Sequence, residues 1–214
     1  MIHHLSFWGD AALDALGVNL RLMVWNSFLA FIPLALSYWL FCGRGRRTVA
    51  WWIGFGTFIA FLPNAPYVLT DVIHLVDDIR YGYSIWIITL VLIPQYLIFM
   101  FAGIEAYVLS VINFGRYLKR RSLAQYVPLA ELVIHALCAI GIYLGRFQRF
   151  NSWDILTQPD MLVISVVDDL LGKRPLMIVA ITFVVITVVY WLLKQMTLAL
   201  TAYWRKSRLD SSSA

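Results

Sequence analysis

Charge is what this sequence has least of. Of 214 residues, 14% are charged and 61% hydrophobic, and the mean hydropathy is +0.76. Soluble domains carry about 25% charged and roughly 45–50% apolar residues, so a water-exposed globule is excluded. Cysteine is nearly absent too. Cys42 and Cys138 fall at different depths of different apolar runs, which excludes a disulfide framework and leaves them as small hydrophobes. The first twenty residues contain no Lys or Arg, whereas a cleavable signal peptide puts basic residues before its apolar core. The first apolar run is therefore expected to remain as an anchor. There is no Gly-rich phosphate loop, CxxC, HExxH or GxSxG, and no internal repeat. Those absences leave P-loop, thiol-redox, zincin and α/β-hydrolase chemistry without support, and give none to a transporter built from inverted halves. No zinc-type ligand set is readable, so no metal is expected, and nothing names a cofactor.

What is present is apolar length. Runs at about 20–42, 48–62, 84–112, 126–144 and 176–203 suit membrane-spanning helices, which need about 20 residues each. The expectation is an all-α integral membrane helical bundle forming a single membrane domain over 1–214, with about five spans plus short interfacial helices. One interfacial helix is expected over 1–17, where Ile2, Leu5, Trp8, Ala12 and Leu16 share a helical spacing. A second is expected over Pro159 to Leu171, a segment too short to span.

The net charge is +5, but in a spanning protein the placement of Lys and Arg matters more than their sum. Nucleic acid is not implied as a partner; membrane lipids are, with a protein partner or a second copy as the other option. Ten basic residues (Arg44, Arg46, Arg47, Arg116, Lys119, Arg120, Arg121, Arg205, Lys206 and Arg208) fall in alternate connections, and six (Arg21, Arg80, Arg146, Arg149, Lys173 and Arg174) on the other side. The positive-inside tendency then places the N-terminus outside and the C-terminus in the cytoplasm.

Three polar clusters share the outer side under this topology. The first is Arg21, Trp25 and Asn26 at the head of the first span. The second is Asn64, Tyr67, Thr70, Asp71 and His74 after the second, and the third is Arg146, Arg149, Asn151, Ser152, Trp153 and Asp154 after the fourth. Polar groups at bilayer depth are costly unless they face protein or water, so their convergence implies a shared polar pocket.

Pro63 and Pro66 are expected to stop the second helix and free its last carbonyls, which the Asn64 amide can meet. A new helix capped by Thr70 then puts Asp71, His74, Asp77 and Asp78 on one arc, opposite Val72, Ile73, Leu75, Val76 and Ile79. Asp71 and His74 can act as general acid and base, or as two ligands of a metal; the plainer alternative is the wet face of an interfacial helix, and Asp77 and Asp78 are expected to be solvated. Arg146 and Arg149 offer two guanidinium forks for a phosphate or carboxylate, or else pair with nearby acids or with bulk lipid. Asn151 to Asp154 read as a helix start.

Glu105, Glu131 and His135 form a deeper set. Intramembrane acids beside a histidine fit a proton relay; the alternative is hydrogen-bonded fastening between helices, with Asn113 the only further partner in view. Lys194 lies near the cytoplasmic end of its span, which argues against a buried Schiff base.

The stretches RLMVWNSFLAFIPL (Arg21 to Leu34), LPNAPYVLTDVIHL (Leu62 to Leu75) and GRFQRFNSWD (Gly145 to Asp154) together resemble the bacterial multi-pass membrane family catalogued as domain of unknown function 1361. The resemblance implies a bacterial cytoplasmic-membrane protein of five or six helices. It marks Arg21, Asn26, Asn64, Pro66, Tyr67, Thr70, Asp71, His74, Gly145, Arg146, Asn151, Ser152, Trp153 and Asp154 as hallmark positions, and it supplies no activity. Three functional classes follow: an outer pocket that binds or processes an anionic lipid headgroup or similar small anion, a proton-coupled small-molecule transporter, and a non-catalytic subunit or assembly factor.

Overall fold

Long apolar runs without backbone partners in lipid must form helices, and they do. The computed structural model describes residues 12–43, 47–149 and 173–212, with no strand among the described residues. Five helical stretches are long and apolar enough to cross a membrane: Leu20–Cys42, Val49–Tyr81, Ile85–Arg120, Ala124–Phe147 and Lys173–Arg208. Residues 1–11 of the interfacial helix expected over 1–17, the second one expected over 159–171, the connection carrying Asn151 to Asp154, and Arg44 and Arg46 lie outside the described residues.

The chain falls into two compact units, 1–107 and 108–214. In the first, a short helix α1 (12–18) precedes α2 (Leu20–Ser37), which widens into a π-helical turn over Tyr38–Cys42. Pro33 sits inside α2. Helix α3 (Val49–Phe61) starts at Thr48, whose side chain accepts from the Trp51 amide. The Trp51 indole donates to the Leu40 carbonyl at 3.1 Å, and Phe41 packs edge-on against Phe58 at 5.1 Å. These contacts close α2 on α3.

Beyond Phe61 the expected stop is only a kink. The chain runs through α4 (Asn64–Tyr67), a 3-10 turn (Val68–Asp71) and α5 (Val72–Tyr81). Proline has no amide hydrogen to give the helix ladder, and the backbone compensates by tightening. The Ala65 amide bonds Leu62 instead of Phe61, and the Asn64 side chain donates to the vacated Phe61 carbonyl at 2.9 Å. Thr70 is not an N-cap; its hydroxyl donates back to the Tyr67 carbonyl at 2.7 Å inside the tightened turn. Gly82, at φ 100°, ends α5 in the left-handed region that glycine tolerates.

Helix α6 (Ile85–Ile87) and a second π-helical turn (Ile88–Leu92) lead into α7 (Ile93–Arg120), which runs from the first unit into the second. Gly103 of α7 seats the kink: a Cβ there would lie 2.5 Å from Val68 Cγ2 and 3.2 Å from the Ala65 carbonyl oxygen.

In the second unit, α8 (Val127–Phe147) packs extensively on α9 (Lys173–Ser212). Their buried residues include Ile134, Cys138, Ala139, Ile142, Ile186 and Tyr190.

Candidate functional site

The polar site of the first unit is an antiparallel ladder between α2 and the α4–α5 segment. Asn26 Nδ2 donates to Asp71 Oδ2 at 2.7 Å, and Asn19 Nδ2 donates to Asp78 Oδ2 at the same distance. The two asparagines are seven residues apart on one strip, and so are the two aspartates. Seven residues are nearly two turns, about 10 Å of rise, so each pair lands on one face and the rungs meet in register. Tyr96 of α7 adds a third group, donating to Asp78 Oδ2 at 3.0 Å. His74 sits between the aspartates on the same strip, with Nε2 4.0 Å from Asp71 Oδ1.

Burial separates these groups. The Asp71 side chain is 1% exposed and that of His74 is 32% exposed. The carboxyl is therefore held inside while the imidazole reaches the edge. Asp78 is buried as well, against the expectation that it would be solvated; Asp77 is exposed, as expected. The opposite face of α5, with Val72, Ile73, Val76 and Ile79, points outward. This is the reverse of an interfacial helix with a wet acidic face. It is the orientation of a helix whose surroundings are lipid, where polar groups turn toward protein. Just beyond α5, burial and the nearby Asp78 push the Tyr83 phenol up from its usual value.

The remaining sequence-derived residues divide. Arg21 and Trp25 are exposed on α2, and Tyr67 is half-buried at the kink. Asn64 is turned to the backbone as described. Arg146 and Arg149 belong to the second unit, at and just beyond the end of α8, Arg149 with φ 59°. Asn151 and Asp154 fall outside the described residues. Asn19 and Tyr96 were missed, although the matched seven-residue spacings of Asn19 with Asn26 and Asp71 with Asp78 were a legible signal. Among the described residues no group of three or more His, Cys, Asp or Glu is placed to hold a metal.

The deeper polar set has a partner that the sequence reading passed over. Glu131 of α8 is clasped by Lys194 Nζ, 2.6 Å from Oε1 and 2.8 Å from Oε2, and its Oε1 accepts from the Tyr190 hydroxyl at 2.8 Å. Buried His135 lies against the Tyr190 ring, centroid to centroid 4.6 Å. The pairs 131–194 and 135–190 again keep one antiparallel register. The fifth span, not Asn113, answers Glu131, and the signal was Tyr190 and Lys194 at i and i+4 opposite Glu131 and His135 at i and i+4. Glu105 is half-buried on α7 within the first unit.

Apolar spans fastened by inward-facing polar ladders define a multi-pass helical membrane protein. The chain belongs to the family described as protein of unknown function DUF1361, whose model matches residues 25–188. No curated protein and no solved structure matches the chain. The matched stretch contains Asn26, Asp71, His74 and Glu131, while Asn19, Tyr190 and Lys194 lie outside it.

Proposed function

We propose that the chain offers a polar ligand site at the kinked second span, taking an anionic lipid headgroup or a similar small anion. The observation that carries this reading is the pairing of a fully enclosed carboxyl, Asp71, with a histidine that reaches the surface 4.0 Å away. In this reading Asp71, fixed by Asn26, orients His74. His74 then meets the anion or passes it a proton, and Tyr67 shapes the edge of the site. Arg146 and Arg149 of the second unit are proposed, on the sequence pattern alone, as a pair of guanidinium forks for an anion in their own right, and their double substitution to Gln tests them separately. The proposed location is a bacterial cytoplasmic membrane, C-terminus inside.

Native mass spectrometry of the protein released from mild detergent tests the site. A lipid or phosphate compound retained by the wild type and lost from a still-folded Asp71→Asn, His74→Ala variant supports it. Equal retention in both, or none in either, overturns it.

Engagement of Glu131 by Lys194 and Tyr190 supports fastening of α8 to α9 and weighs against the transporter reading, in which Glu105, Glu131 and His135 relay protons. The subunit reading predicts a protein that copurifies with the chain and survives detergent exchange.

A further inference from the structure

The second unit carries a site of different construction at the far ends of α7 and α9. Arg116 of α7, with Thr201, Ala202, Arg205 and Lys206 of α9, lines a pocket of about 530 Å³. A second hollow, of about 380 Å³, shares Thr201 and Arg205 and adds Trp204 and Arg208. Arg116, Arg205 and Lys206 have no carboxylate partner among the described residues. Three cations gathered on one pocket, without a carboxylate partner among the described residues, repel one another and attract an anion. Two of them are guanidinium groups, whose planar forks match the oxygens of a phosphate.

The flank of the pocket says which phosphate. Leu192, Met196, Leu200 and Trp204 follow one another at intervals of four along α9, and all are exposed. They form an apolar strip leading away from the cations for about 18 Å at 1.5 Å per residue. One leaflet of hydrocarbon is about 15 Å deep. Trp204, at the boundary between strip and cations, is the residue type favoured at headgroup level. Thr201 and Ala202 are small and leave the pocket open between the basic side chains. Basic pockets between spanning helices bind anionic headgroups in this way.

We propose that Arg116, Arg205 and Lys206 form a phosphate site for an anionic phospholipid, with an acyl chain lying along Leu200, Met196 and Leu192. The site is independent of Asp71 and His74. Basic residues at the ends of spans also serve topology alone, and that role needs no pocket, no stoichiometry and no choice of lipid.

The test titrates the full chain in nonionic detergent with phosphatidylglycerol, phosphatidylcholine or inorganic phosphate, read by native mass spectrometry. The expected result, read on the Asp71→Asn, His74→Ala variant so that the site at the kinked second span does not contribute, is one phosphatidylglycerol bound at least tenfold more tightly than phosphatidylcholine. Arg116→Gln with Arg205→Gln weakens it about tenfold, and the charge-matched control Lys119→Gln with Arg121→Gln leaves it unchanged. Arg205→Lys keeps the charge and the fold but loses the fork, and shows a smaller loss. Inorganic phosphate binding as tightly as the lipid keeps the phosphate site and overturns the acyl strip. No preference for phosphatidylglycerol together with no phosphate binding, or an equal loss in the control, overturns the site itself. Asp71→Asn with His74→Ala retains the binding, so this proposal and the one above fail separately.

Discussion

Asn26 and Asp71, forty-five residues apart in sequence, share a 2.7 Å hydrogen bond that ties the first span to the tightened turn of the second. A hydrogen bond to a buried carboxyl is worth about 1.5–3 kcal/mol when ionised, and its loss leaves a desolvated group short of a donor. Asn26→Leu is therefore expected to lower stability in detergent by about 2 kcal/mol. Asn26→Asp places two carboxyls together and costs at least as much. The exchange Asn26→Asp with Asp71→Asn restores one acid and one amide and recovers most of the loss. Thermal unfolding of the three variants checks the sequence of effects; an exchange variant no better than Asn26→Asp sinks it.

The second rung makes a smaller demand. Tyr96→Phe removes one of the donors on Asp78 and leaves Asn19 in place, so a loss of about 1 kcal/mol is expected. Combining it with Asn19→Ala costs more than the sum of the two, because both serve the same oxygen. A double-mutant cycle on unfolding midpoints measures the coupling.

Glu131 and Lys194 are a partly enclosed ion pair, with side chains 14% and 23% exposed. Removing one member strands the other, while removing both with apolar groups of similar size is often neutral. Lys194→Met is expected to destabilise by about 2–3 kcal/mol, discounted from a fully buried pair for this exposure. Lys194→Met with Glu131→Leu recovers most of it. A double variant as unstable as the single would show that the pair does more than fasten α8 to α9.

Gly103→Ala drives a methyl into Val68, which is fully buried, and toward the Ala65 carbonyl. Overpacking of this kind costs about 1–3 kcal/mol. Val68→Ala, harmful by itself, is expected to offset much of the damage when combined with Gly103→Ala. Stabilities of the two single variants and the double one decide this.

Cys42 is exposed at the end of the first span and Cys138 is buried in α8. A membrane-permeant maleimide is expected to label Cys42 readily and Cys138 only on denaturation. If the C-terminus is cytoplasmic, as proposed, an impermeant maleimide added to intact cells leaves Cys42 unlabelled. Labelling by the impermeant reagent reverses the proposed orientation.

The spans were legible because lipid imposes one rule on every residue of a helix, and run length reports it directly. The Leu20–Cys42 run reads off the sequence to the residue. Pro63 and Pro66 misled, since proline forbids particular hydrogen bonds rather than helical direction, and Asn64 and the 3-10 turn absorb the deficit. At the site, Asp71, His74 and Asn26 stood out as polar residues in apolar surroundings. Asp78 was misread for a physical reason: an acidic strip opposite an apolar one looks the same whether water or protein covers the acids. Only partners decide, and Asn19 and Tyr96 carry no sign of their role except their spacing.

The outward-facing Val72, Ile73, Val76 and Ile79 give α5 a dependence that a soluble helix lacks. Stripped of lipid or detergent, this helix gains by rotating its apolar face inward, and each step of that rotation draws Asp71 and Asp78 off Asn26 and Asn19. Bilayer and ladder hold one orientation between them, so the micelle chosen for purification is a component of the site as much as any side chain in it.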